Sequence, residues 1–188
     1  FVASHSDASS WRPGLALVYA EIGDVASARA EFDRLAPDDF AAIPRDVLWS
    51  TCLSYMADVC FALDDAERAR VLYRLLEPFA EQAIVVGNSI TCNGAASRSL
   101  GRLATVTGDW ETAEARFRHA LEFNERLQAL PWLALSHRHY ADMLLRRGKP
   151  GDEGSAAHHL DRACQLAERL GMAALLDDVR ILRSRAAD

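Results

Sequence analysis

The sequence predicts an all-α protein, a right-handed α-solenoid of helical hairpins, on three observations. Apolar residues recur at helical spacing along most of the chain, and runs of alternating apolar residues are nearly absent. Short breaks rich in Gly and Asp interrupt that pattern at Gly23-Asp24, Asp64-Asp65, Gly108-Asp109 and Gly148. Small and bulky residues then return at matching offsets after each break, most clearly as Ala113, Phe117 and Ala120. The break positions Gly23, Asp64, Gly108 and Gly148 lie 41, 44 and 40 residues apart. The bulky positions Phe32, Tyr73, Phe117 and Leu160 lie 41, 44 and 43 apart. The unit is therefore a helix, a turn and a second helix, repeated about every 40–44 residues.

Each element follows from local chemistry. Residues 1–9 carry little pattern, and Ser9 or Ser10 is placed to cap a helix beginning near Trp11. In the first hairpin, about 11–37, Leu15, Ala16 and Tyr19 form an inner face, followed by Ala28, Phe32 and Leu35, and Pro37 ends it. In the second, about 46–79, Leu53, Met56, Ala57 and Cys60 take the first-helix positions, and Ala69, Tyr73 and Leu76 the second. Asp64 with Glu67 three residues later resembles a capping box with Asp in place of Ser or Thr.

Residues 81–94 break the rhythm. A short apolar run, Ile84 to Val86, precedes Gly87, Asn88, Asn93 and Gly94, and a loop or partial helix is expected. The third hairpin, about 95–128, is the clearest: Leu100, Gly101 and Ala104 share a helix face, and the bare Gly101 allows close approach of the helix bearing Phe117. Gly108 suits the left-handed residue that ends a helix, and Asp109 suits the cap of the next. In the fourth, about 131–170, Pro131 fits a first turn, and His137, Tyr140, Ala141 and Leu144 form the inner face. Residues 148–154 make a longer link before Ala156, Leu160 and Ala163. Gly171 closes that helix, and a final helix spans about 172–186.

Composition supports one elongated domain over residues 1–188. Half of the residues are hydrophobic and 26% charged, with only 6 Pro and 10 Gly, and a chain of this length buries roughly 70% of its unfolded surface. Net charge is −6, so a broad basic face for a phosphate backbone is not expected, and neither is direct nucleic-acid binding. Arg outnumbers Lys 20 to one, Lys149 being the single lysine. Cys52, Cys60, Cys92 and Cys164 contain no C-x-x-C pair, so no zinc site, redox dithiol or cofactor is expected. They read as reduced residues of a cytoplasmic protein, with Cys60 and Cys164 on buried faces. No apolar run approaches the ~20 residues of a membrane span. The chain begins with Phe1, and this reads as a piece of a longer protein.

The offsets of Leu100-Gly101, Ala104, Ala113, Phe117 and Ala120 resemble those of the tetratricopeptide repeat, whose period of about 34 residues is exceeded here, so longer helices and links are expected. The run from Leu100 through Gly108-Asp109-Trp110, Ala113, Phe117 and Ala120 is similar to the helical-repeat region of large bacterial signalling proteins. So are Ala134, Tyr140-Ala141, Leu144-Leu145, Arg147-Gly148 and Leu170-Gly171-Met172. In those proteins an ATPase module of the AAA or STAND kind precedes the repeats. The output module is an adenylate or guanylate cyclase or a LuxR-type DNA-binding domain, as in maltose-regulator-like activators. The resemblance implies a sensor or regulatory interaction domain, holding a protein or peptide partner or a neighbouring ATPase or output domain of the same chain. No catalytic residue carries over, because these residues include neither a phosphate-binding loop nor a cyclase carboxylate pair.

Gly87 to Gly94 is not followed by Lys, and Gly148-Lys149 is followed by Pro150, so neither forms a phosphate loop. His137 and His139 point about 200° apart on a helix, and His158 and His159 about 100°, so neither pair chelates a metal by itself. Trp11, Trp49, Trp110 and Trp132 sit near helix starts and read as packing under turns. By register with the breaks, a concave groove is lined by Leu17 and Ala20, then Ser54, Asp58 and Phe61, then Arg98, Arg102 and Thr105, then Arg138, Asp142 and Leu145. The candidate binding residues are Asp58, Phe61, Arg98, Arg102, Arg138 and Asp142. The three arginines form a cationic patch for an acidic peptide or carboxylate, unless Asp58 and Asp142 neutralise it within the groove. The leading expectation is a non-enzymatic interaction scaffold. The alternatives are a small-molecule sensor with its pocket near residues 81–94, and a self-assembling module.

Overall fold

The computed structural model describes residues 11–86 and 91–187, and among these lie ten helices and one two-stranded antiparallel sheet. In chain order the helices are α1 (Arg12–Glu21), α2 (Val25–Leu35), a single turn α3 (Pro37–Phe40), α4 (Trp49–Leu63) and α5 (Ala66–Leu76). A 3₁₀ turn, Glu77–Phe79, leads to strands β1 (Ala83–Val86) and β2 (Thr91–Ala95). Then come α6 (Ala96–Thr107), α7 (Trp110–Arg126), α8 (Leu130–Arg147), α9 (Asp152–Leu170) and α10 (Ala173–Ala187). None of the described helices is long and apolar enough to cross a membrane.

One local device makes three of the turns. A residue in the left-handed region ends the first helix, and the next Asp caps the second. Gly23 (φ +79°) precedes Asp24, whose carboxylate accepts from Ser27 N at 3.1 Å. Gly108 (φ +73°) precedes Asp109, which accepts from Thr112 N at 3.2 Å. In the α4–α5 turn Asp64 itself takes the left-handed conformation, φ +52°, and Asp65 caps, accepting from Arg68 N at 3.1 Å. The expected capping box from Asp64 to Glu67 is thus one residue out of register, because Asp64 is needed to terminate α4. Trp11 occupies the N-cap position of α1, and the caps expected at Ser9 or Ser10 fall outside the described residues.

Consecutive helices pack as α1 on α2, α4 on α5, α6 on α7 and α8 on α9, and the first members of these pairs also touch in the row α1, α4, α6, α8. Of the small and bulky positions read from the offsets, Ala28, Phe32, Ala69, Ala113, Phe117, Ala120, Ala156, Leu160 and Ala163 are buried, whereas Tyr73 is only half-buried and its neighbour Leu72, which the pattern missed, fills the core in its place. Two large apolar clusters fill the interior and meet at α6, where Leu100 and Leu103 belong to one and Ala104 to the other. Gly101 explains how α6 and α7 approach: a methyl group there would stand 3.0 Å from the Phe117 ring.

The structure departs from the sequence reading in four places. Ala83–Val86 and Thr91–Ala95 pair as antiparallel strands where a loop or partial helix is expected: Ala83 pairs with Ala95 and Val86 with Thr91, while residues 87–90 lie outside the described residues. Thr51 Oγ1 donates to Val85 O at 3.1 Å and Ala95 N donates to Asn124 Oδ1 at 3.0 Å, so helices on both sides hold the hairpin. The α8–α9 link ends sooner than expected, because Asp152 starts α9 while its carboxylate takes a two-pronged ion pair from Arg147, at 2.7 and 2.9 Å. After Pro37, Asp38, Asp39 and Phe40 all have positive φ, a left-handed turn that places the Phe40 ring 5.6 Å from that of Phe32. Cys164 is only half-buried, whereas Cys60 lies wholly inside.

Candidate functional site

The row α1, α4, α6, α8, joined by β2 and α10, encloses an open groove of about 830 Å³. Leu17 and Ala20 of α1, Ser54, Asp58 and Ala62 of α4, Arg98 and Arg102 of α6 and Arg138 of α8 line it. Helical spacing explains the assembly: Arg98 and Arg102 stand one turn apart on α6, and the neighbouring helices supply residues at the same level. Four of the six candidate residues therefore share this cavity. The other two do not line it. Phe61 is buried beneath it, with the guanidinium carbons of Arg102 and Arg146 at 4.2 and 4.4 Å from its ring centroid. Asp142 is buried behind Arg138. Thr105, also placed in the groove by register, is buried and turns its hydroxyl back to Gly101 O.

Ion pairs knit the floor. Asp58 Oδ1 accepts from Arg102 Nη1 at 2.7 Å, and both its oxygens face Arg98 at 3.4 Å. Arg138 reaches Asp142 at 3.1 Å and Asp178 of α10 at 2.9 Å, and Asp142 is shared with Arg146 at 3.2 Å. Asp58 and Asp142 do counter the arginines, as the competing reading of the sequence held, but the match is incomplete. The side chains of Arg98, Arg102 and Arg138 are 3%, 12% and 14% exposed and those of Asp58 and Asp142 15% and 11%, whereas Asp178 is 47% exposed. Three buried cations thus face two comparably buried carboxylates. The Nε atoms of Arg98 and Arg102 are buried without a hydrogen bond to any described residue, and Arg138 Nε, although near Asp178, is not aligned for one.

No family model matches the chain, and no curated protein matches it.

The field of the site is visible in its titrations. Burial raises the Asp58 carboxyl, but Arg98 and Arg102 outweigh it and hold the group below its ordinary value. Burial lowers the Arg102 guanidinium to about 10, with Asp58 opposing and Arg98 and Arg138 adding to the fall. His139 is kept neutral by burial and by the three arginines. Its Nδ1 lies 3.3 Å from Arg98 Nη1, and since arginine can only donate, that nitrogen is the acceptor and the ring proton sits on Nε2. On the rim, burial and the Asp58 charge raise the Glu21 carboxyl.

Sequence reasoning missed several groove residues. His139 is buried beside the groove arginines, its Nδ1 engaged by Arg98. Trp132 lines the groove rather than only packing under a turn, with the Arg98 guanidinium carbon 5.6 Å from its ring, and Gly94 makes room for it. Asn93 enters from β2 and approaches Tyr55 Oη at 3.4 Å, a contribution hidden while residues 81–94 read as a loop. Outside the groove, His137 Nδ1 lies 2.9 Å from His159 Nδ1 across α8 and α9, a pairing that spacing along either single helix does not show.

Proposed function

We propose that this chain is a non-catalytic interaction scaffold: a right-handed α-solenoid of lengthened tetratricopeptide-like hairpins that holds a protein segment in its groove. The observation that carries this reading is the groove itself. Six elements contribute to it, and it combines apolar walls (Leu17, Leu135, Trp132) with buried hydrogen-bond donors (Arg98, Arg102) along an open length. Such grooves suit an extended peptide or a docked helix. The absence of catalysis is supported by the roles its polar groups already hold. Asp58 is paired to two arginines, His139 is neutral with Nδ1 engaged, and Ser54 Oγ is 3.2 Å from Ser99 Oγ rather than from a base. Read together with the sequence resemblance, these roles support the chain's being the cytoplasmic regulatory or sensor region of a bacterial signal-transduction or transcription-regulating protein. Its partner is then another protein or a neighbouring ATPase or output domain.

The test is peptide display on the immobilised chain, with an Ala62→Trp variant as the blocked groove, since Ala62 is exposed and lines it. Enriched peptides should bind the wild type and lose the variant. Peptides that bind both equally would reject the groove as the docking face.

One observation favours a second reading, a small-molecule sensor: a volume of about 830 Å³ lies within the range of ligand pockets. A metabolite panel that raises the melting midpoint of the wild type but not of Ala62→Trp would select it.

A further inference from the structure

Resting on the groove reading above, we infer that the groove is an oxyanion site whose occupant is a peptide segment with one acidic side chain, seated among Arg98, Arg102 and Arg138 and flanked by neutral or basic residues. The inference goes beyond docking in that it fixes the chemistry of the occupant, including the residues beside the acid.

The charges do not match: Arg98 is buried and Arg102 and Arg138 nearly so, all three cationic at neutral pH, and only Asp58 and Asp142 are covered to a similar degree among the acids they touch. The remaining partner, Asp178, is half in water, where its attraction is screened. One further negative charge would complete the match at the buried level.

A guanidinium offers five N–H donors and charge-assisted pairs settle at about 2.7–2.9 Å. Arg98, the most buried of the three, has no such contact: its distances to Asp58 are 3.4 Å and to His139 Nδ1 3.3 Å, and its Nε has no partner among the described residues. Asp58 cannot serve both arginines well, because its short bond goes to Arg102. Burial keeps the adjacent His139 neutral, and the three arginines add to the effect, so the ring brings no competing positive charge. An incoming carboxylate would give Arg98 the short contact it lacks.

The rim excludes further acids: Glu21, exposed, and Asp178, half in water, also line the groove. A run of acids would place like charges against them, and so would a nucleic-acid backbone approaching a chain of net charge −6. A single Asp or Glu with neutral or basic neighbours suits both the floor and the rim. A lone phosphate or carboxylate ion would leave most of the 830 Å³ and the Trp132 wall untouched.

The experiment uses capped peptide mixtures randomised at every position but the central one, which is fixed as Glu, Asp, Gln or Lys, with retention measured on the immobilised chain. The Glu and Asp mixtures should be retained about tenfold better than the Gln mixture, the difference of one charge-assisted hydrogen bond. Sequencing of the bound fraction should show Lys, Arg or neutral residues beside the acid. Arg98→Gln should abolish the preference. Because that change also disturbs Asp58, the deciding variant is Asp58→Asn: removing the internal competitor should raise retention of the acidic mixtures, whereas mere structural damage would lower it. Equal retention of the Glu and Gln mixtures, both lost in Ala62→Trp, would overturn the inference and leave the groove reading standing. Retention indifferent to Ala62→Trp would remove both. Inorganic phosphate should compete with the acidic mixtures; binding of phosphate with no retention of the acidic mixtures would overturn the peptide occupant.

Discussion

Asp58 on α4 and Arg102 on α6 meet at 2.7 Å across 44 residues of sequence, and the same carboxylate faces Arg98. The pair ties the second hairpin to the third beneath the groove. Replacing Asp58 by Ala leaves two buried cations without their acceptor, and urea denaturation at pH 7 should show a loss of about 3 kcal/mol. The carboxyl titrates below its ordinary value in the folded chain, so its contribution is complete above the unfolded value near 4 and is lost as pH falls through the lower folded value. Wild type should therefore lose more stability than Asp58→Asn as pH falls below about 4.

Arg12 and Glu31 form a second buried ion pair, at 2.8 Å, that joins α1 to α2 with side chains 8% and 11% exposed. Arg12→Ala alone should cost about 3–5 kcal/mol, because Glu31 is left buried and charged. The double change Arg12→Met with Glu31→Leu should come close to wild type, since two apolar side chains fill the same volume without the cost of dehydrating charge. Denaturant titrations of both variants check the contrast.

Gly101 should tolerate nothing larger. Gly101→Ala brings a methyl group to 3.0 Å from the Phe117 ring and should lower stability by about 1–3 kcal/mol. Gly108→Ala meets no neighbour but retains φ +73°, so it should cost only about 1–2 kcal/mol, through the backbone. Combining Gly101→Ala with Phe117→Leu should recover part of the first loss and none of the second.

His137 and His159 set a pH dependence of their own. Burial, then the neighbouring His159, Arg162 and His158, lower His137 to about 3, while burial and His158 lower His159 to about 4. Both rings are thus neutral when folded and take up protons near 6.5 when unfolded, so stability is complete above pH 6.5 and declines as pH falls from there toward about 4. A His137→Phe, His159→Leu double variant should show a flatter decline over that window in thermal melts.

The helices and their turns were legible because capping is local: Gly108 followed by Asp109 carries its own geometry, and alanine beside phenylalanine at helical spacing marks a packed face. The hairpin was not, because Ile84 to Val86 is too short to show a period and its partner strand contains Asn93 and Gly94. For the groove, register arithmetic gave the direction of a side chain but not its depth. It brought Asp58, Arg98, Arg102 and Arg138 together, yet Phe61 and Asp142 sank beneath Arg102 and Arg138 once those long side chains folded over them. Arg12 with Glu31, and Arg147 with Glu114 and Asp152, were also out of reach, since charged residues in a helical pattern read as solvated faces.

The most direct test of the groove uses Trp132, which lines it, as the reporter. With Trp11, Trp49 and Trp110 changed to Phe, titration with a peptide selected from the Glu-centred mixtures should shift the Trp132 emission along the same saturation curve as binding. Its Gln counterpart should shift it only at about tenfold higher concentration. Saturable binding of the acidic peptide with Trp132 emission unchanged would contradict the assignment of the groove as the site.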